Sequence, residues 1–314
     1  MKQEEIEMYS LATVFPPLAR VRRLPFSRDQ FILLMVAINE IFLGVDIYLA
    51  HSISGTIVPN ERIPIIFGPT AGVLLLLIGL VAIRRRTLAN VLASSIFVAS
   101  IVVGLLGAYF HVRRGILPTG PPGEWVSIQM LVWAPPVLGP LTFALVGLLG
   151  LGAAWIESPP ESGKLTLVRG IRLHLPFSKT KAYFFLVGLG TLASLISMVF
   201  DHARTGFQNP WLWVSAAVAI FGTVIPIVLA TLERPSRADL ATFAVAMLAL
   251  ILLGITGMLL HISQNLISDG TIVTERFIRG APFLAPMLFA DMGTLGLIAL
   301  LDPQEEGRIS SSAN

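Results

Sequence analysis

Four of the five histidines in this chain close long apolar runs: His51, His111, His202 and His261. Two of those runs end alike, GLLGAYFH at 104–111 and GITGMLLH at 254–261, both Gly-x-x-Gly-x-x-x-His. A neutral imidazole offers one nitrogen lone pair to a metal while its other nitrogen donates a hydrogen bond. On a helix, the positions four and seven before a residue lie on its own face. Gly104 and Gly107 are therefore expected to clear a shelf beside His111, and Gly254 and Gly257 a shelf beside His261. Gly44 repeats this partly before His51, whereas Leu195 and Met198 occupy those places before His202.

Two imidazoles at one depth, on separate helices of a bundle, suit axial coordination of a haem iron from both faces. The expected pairs are His51 with His111 and His202 with His261, holding one b-type haem in each half. Arg113, Arg114 and Arg204 follow the histidines closely and match the charge and planar geometry of haem propionates. The same residues also fit a chain with no cofactor. Gly-x-x-Gly serves close helix packing in lipid, and a histidine at a span end can be interfacial. Asp46 and Asp201, near His51 and His202, offer a His-carboxylate set for copper, zinc or iron. A magnesium-centred pigment would need one histidine alone. His174 lies in a basic stretch and reads as a surface residue.

Glu40 and Asp291 fall about midway along apolar runs. A carboxylate at the bilayer centre costs roughly 2.5–3.5 kcal/mol on the insertion scale, so such residues are usually paired or functional. A proton-carrying or quinone-polarising role is one expectation for both; the plain alternatives for Glu40 are that the adjacent Asn39 satisfies it or that it is protonated.

The elements that must position these groups are membrane spans. The chain has 314 residues, 54% hydrophobic and 13% charged, with mean hydropathy +0.78, too apolar for a water-exposed surface. Eight runs, at 30–51, 64–84, 88–111, 130–155, 183–202, 212–232, 239–261 and 281–301, approach the length a bilayer requires. Polar or Pro/Gly-rich links such as RRRT, PTGPPGEW and ERPSRAD separate them. Of the 22 basic residues, 16 fall in the tails and in the links at 84–88, 156–182 and 233–238, which places both termini in the cytoplasm. Trp125, Trp133, Trp211 and Trp213 fall at the outer ends of spans, as an aromatic belt would. Pro135, Pro136 and Pro140, with Pro282 and Pro286, are expected to kink the fourth and eighth spans. The chain has no cysteine, and its N-terminus, MKQEEIEMYS, shows no secretory signal.

LPFS occurs at 24–27 and again at 175–178, each time after a basic stretch and before a span. From that anchor the halves run in parallel: His51 with His202, His111 with His261, and PVLGPLTFALVG at 136–147 with PFLAPMLFADMG at 282–293. The expected fold is an all-α integral membrane protein, with eight transmembrane helices as two tandem, parallel-repeat four-helix bundles and both termini cytoplasmic. Its parts are a tail at 1–28, a first bundle at 29–155, an interfacial linker at 156–182, a second bundle at 183–301 and a tail at 302–314. The linker alternates polar and apolar residues in KLTLVRGIRLHLPFS and is expected to lie along the cytoplasmic surface.

In layout and histidine spacing the chain resembles haem A synthase, an eight-span protein of two four-helix halves with a histidine pair in each. That resemblance implies haem modification. The chain departs from the family in lacking an outer-loop cysteine pair and a Glu-x-x-His motif at the start of a span. It also resembles, in its double bundle alone, the quinone-reactive eight-span subunits of molybdenum-type oxidoreductase complexes, which are typically haem-free.

The expected function is an electron-transfer subunit of a multi-pass inner membrane assembly, with the lipid bilayer, other complex subunits and a quinol as partners. A cofactor-free structural subunit and a transporter are the alternatives. No phosphate-binding loop, dinucleotide fingerprint or zinc-protease motif is present, and nucleic acid is not an expected partner.

Overall fold

The computed structural model describes residues 11–16, 26–53, 55–116, 132–133, 135–168, 171–266 and 272–301. Trp125, the flanking segments 1–10 and 17–25, and the 302–314 tail lie outside the described residues.

A short helix α1 (Leu11–Val14) precedes four longer ones: α2 (Arg28–Ser52), α3 (Pro59–Ala82), α4 (Arg86–Ile116) and α5 (Leu138–Ala154). Three strands follow, β1 (Ile156–Glu157), β2 (Lys164–Val168) and β3 (Ile171–His174). The chain then forms α6 (Lys179–Ala203), α7 (Trp211–Thr231), α8 (Arg237–Asn265), a short α9 (Thr274–Arg279) and α10 (Met287–Ala299). Both LPFS segments end in a capping serine. Ser27 Oγ accepts from the Gln30 N–H at the start of α2, and Ser178 Oγ accepts from the Lys181 N–H at the start of α6.

Six helices, α2, α3, α4, α6, α7 and α8, are long and apolar enough to cross a membrane. The other two expected spans form shorter helices, α5 with 17 residues and α10 with 13. At 1.5 Å per residue these are roughly 26 and 20 Å long, below the ~30 Å hydrocarbon core. Their prolines explain the difference. Pro135, Pro136, Pro282 and Pro286 lie before the first helical residue, where a missing N–H breaks no helical hydrogen bond, and Pro140 sits in the first turn of α5. They delay the helices instead of kinking them. The prolines that do lie inside helices are Pro64 and Pro69 of α3 and Pro226 of α7, among others.

Within the first four-helix group α4 packs on α5 and α3, and α2 on α3 and α5. The second group matches it: α8 packs on α10 and α7, and α6 on α7 and α10. The groups meet where α5 packs on α6 and α10 on α2. Phe97, Phe143, Phe184, Phe243 and Leu250 are fully buried, whereas Leu80, Leu252 and Ile66 are exposed on the outer faces. A wide apolar exterior over a packed interior is what a lipid solvent permits.

The linker is not a plain surface segment. Its alternation forms an antiparallel sheet in the order β1-β2-β3, pairing Glu157 with Leu165 and Lys164 with His174. Leu165 is buried, while β3, including His174, is exposed.

Candidate functional site

His51 ends α2 and His111 lies in the last turns of α4. Their ring centroids are 6.1 Å apart, with planes inclined at 56°. His202 ends α6 and His261 lies near the end of α8, with centroids 6.2 Å apart and planes at 68°. Each pair named from the sequence is therefore in ring contact. Two imidazoles bound to one metal from opposite sides have ring centres about 6 Å apart, from metal–nitrogen bonds of about 2 Å and about 1 Å from each nitrogen to its ring centre.

Three of the rings are held by backbone. His111 Nδ1 lies 2.9 Å from the Pro136 carbonyl, and His261 Nδ1 lies 2.9 Å from the Pro282 carbonyl. His51 Nδ1 is 2.9 Å from the Ile47 carbonyl. A carbonyl only accepts, so Nδ1 carries the hydrogen in all three. In the neutral ring, Nε2 then keeps its lone pair, which is the arrangement that orients a metal-binding imidazole. The prolines that delay α5 and α10 thus supply the carbonyls that orient His111 and His261.

A cavity of about 620 Å³ has His51, His111, Phe143 and Trp133 in its wall. That lies within the roughly 300–1,000 Å³ of small-molecule and cofactor pockets. Glu61 lines it too, with Oε1 3.8 Å from His51 Nε2. Arg114 faces the same space, while Arg113 is exposed on α4. Arg204 does not stay beside its neighbour His202. Its Nε donates to the Val132 carbonyl at 2.8 Å, its guanidinium lies over Trp133, and it lines the His51–His111 cavity. Two arginines and two carboxylates, Glu61 and Asp46, therefore line one cavity, whose size and facing imidazoles fit a haem.

The glycines take a different role from the expected shelf. A Cβ on Gly104 would stand 2.6 Å from the Ala144 nitrogen, and one on Gly107 2.7 Å from Pro140 Cβ. Gly254 and Gly257 meet Ala290 and Pro286 in the same way, at 2.6 and 2.8 Å. The stripes let α5 approach α4 and α10 approach α8, which is the close-packing use of small residues. Helical periodicity identified the face but not what covers it. Gly107 alone of the four also borders the cavity.

No group of three or more His, Asp or Glu side chains able to hold a metal ion exists among the described residues. Asp201 lies 3.8 Å from Arg204 instead, so the His-carboxylate alternative is not assembled.

Glu40 is fully buried, and its partner is not Asn39. Ser100 of α4 meets Glu40 Oε1 at 2.5 Å and the Phe143 carbonyl at 2.9 Å. Glu40 Oε2 has no hydrogen-bond partner among the described residues. Asp291 lies elsewhere, on a second cavity between the two groups, while Asp46 borders both that cavity and the His51–His111 cavity.

Sequence reading missed a buried charged cluster where α2 and α6 begin. Arg28 and Lys179, two of the 16 basic residues in the tails and links, are each 1% exposed. Arg28 Nη1 donates to Thr180 Oγ1 at 2.7 Å, and Lys179 Nζ is paired with Asp29. Tyr183 Oη donates to Asp29 Oδ1 at 3.0 Å. Counted from the capping serines, the first residue of each helix meets the second residue of the other. The available signal was the match between LPFSRD and LPFSKT.

The chain matches no protein-family model, no curated protein and no solved structure.

Proposed function

We propose that this protein is an integral membrane electron carrier that binds b-type haem between His51 and His111, with His202 and His261 as a second pair. We further propose eight membrane crossings in two tandem four-helix repeats, with cytoplasmic termini. The matched packing of the two groups and the reciprocal contacts at the LPFS helix starts support the repeat. The observation that carries the haem reading is the 6.1 Å imidazole pair, anchored through Nδ1, beside a cavity with two arginines.

When bound, haem supplies one-electron chemistry. The chain's own part is to orient. The Pro136 and Ile47 carbonyls hold the His111 and His51 rings, and Arg114 and Arg204 would offer charge to the propionates of a bound haem. Electrons would pass between a membrane quinol and an outer-facing partner in a larger assembly. As a structural subunit the chain would offer its glycine stripes to partner helices; here its own α5 and α10 cover them.

Absorption spectra of the purified protein, oxidised and dithionite-reduced, test the reading. A Soret band with reduced-state b-type bands is expected. His111→Ala should remove most of it, and His261→Ala a smaller part, since the cavity described above belongs to the first pair. A purified, folded protein without a Soret band overturns the proposal.

A further inference from the structure

A cavity of about 630 Å³ lies between the two four-helix groups, walled by α2, α5, α6 and α10 with Met258 of α8. Its wall is mainly apolar, yet Asn39, Asp46 and Asp291 face it. Asn39 is 8% exposed, and its amide makes no hydrogen bond among the described residues. Neither carboxyl has a protein hydrogen bond among them either. An unpaired amide and two unpaired carboxyls inside a lipid-embedded body are costly unless a ligand meets them.

Two further features describe that ligand. Ile38, Phe42, Leu148 and Leu189 line the cavity and are exposed on the outer face, so entry is sideways from hydrocarbon. Leu43, Asp46, Thr142 and Leu288 line both this cavity and the His51–His111 cavity, so one partition separates them. An acyl chain would leave the polar groups unmet. A ring with two hydroxyl donors on an apolar tail would satisfy both carboxyls and leave its tail towards lipid.

We infer that this inter-group cavity is a quinol-binding site, in which Asp46 and Asp291 accept hydrogen bonds from the two ring hydroxyls and Asn39 takes part in holding the ring. The choice of ligand rests on the electron-carrier reading.

Equilibrium binding of decyl-benzoquinol to the purified full chain in lipid nanodiscs tests it, with decyltrimethylammonium as the comparison probe and empty nanodiscs subtracted. Saturable binding of one quinol per chain is expected. Asp46→Leu and Asp291→Leu should each weaken it about tenfold, the loss of one buried hydrogen bond. Ala193→Phe fills the cavity while leaving every polar group in place, and should abolish binding even if a carboxyl variant fails to fold. Binding unchanged in folded Ala193→Phe protein overturns the inference, as does saturable binding of the ammonium probe without the quinol. Haem spectra are read on the same samples. A Soret band without quinol binding sinks this site alone, and quinol binding without a Soret band sinks the haem reading alone.

Discussion

The two four-helix groups share a skeleton but not a chemistry. Their imidazole pairs are spaced at 6.1 and 6.2 Å, and their glycine stripes meet the same proline–alanine partners. Where the first group buries Glu40 against Ser100, the second places Thr191 and Leu250. Thr191 returns its hydroxyl to the Val187 carbonyl of its own helix, and Leu250 packs over Gly222. Packing geometry is alike in both groups, while a buried acid stands at this place in only one. Backbone contacts tolerate little change because no side chain can yield there, whereas an interior polar pair is replaceable by apolar residues of similar volume.

The reciprocal contacts at the helix starts offer the sharpest way to separate the groups. Asp29→Leu leaves Lys179 buried without its carboxylate and should cost about 3–5 kcal/mol. Thr180→Val, the corresponding change in the second group, removes the hydrogen bond from the Arg28 guanidinium together with the one to Glu161, and should cost about 1.5–3 kcal/mol. Thermal unfolding in detergent, followed by circular dichroism, ranks the two; equal losses would remove the asymmetry. Next come Gly104→Leu and Gly254→Leu, whose new side chains meet backbone nitrogen at 2.6 Å in either group. Each should lower stability by about 3 kcal/mol at most through overpacking, and similarly in both. A large difference in unfolding temperature would break the shared-skeleton comparison.

Much of the first level was legible. Apolar run lengths and the end positions of the histidines sufficed to pair His51 with His111 and His202 with His261, because helices ending on one side bring their last residues to one depth. Glu40's partner was not legible: Ser100 is distant in sequence, and no local pattern marks it. The roles of Arg28 and Lys179 were hidden for another reason. A basic residue at a span end satisfies a topology rule whether it meets water or a buried carboxylate. Arg204 reached across to Val132 by a loop path that periodicity does not encode. The strands of the linker were visible only as alternation too short to separate from an extended surface segment.

Two smaller effects sharpen the comparison further. Ser100→Ala should cost about 1–3 kcal/mol by leaving Glu40 without its partner, whereas Glu40→Leu with Ser100→Ala, which replaces both partners by apolar residues of similar volume, should be nearly neutral. The same unfolding assay reads both, and a double variant worse than Ser100→Ala would assign the acid a structural duty. Smallest, Ser27→Ala and Ser178→Ala should each cost about 1 kcal/mol, since each removes one helix cap.

The crossed ties at the feet of α2 and α6 carry a consequence for biogenesis. During synthesis Asp29 emerges long before its lysine, beside the adjacent Arg28, 3.6 Å away in the finished fold. The leading bundle is therefore left with an open fastening that only the trailing bundle closes, so insertion of the second half completes the first.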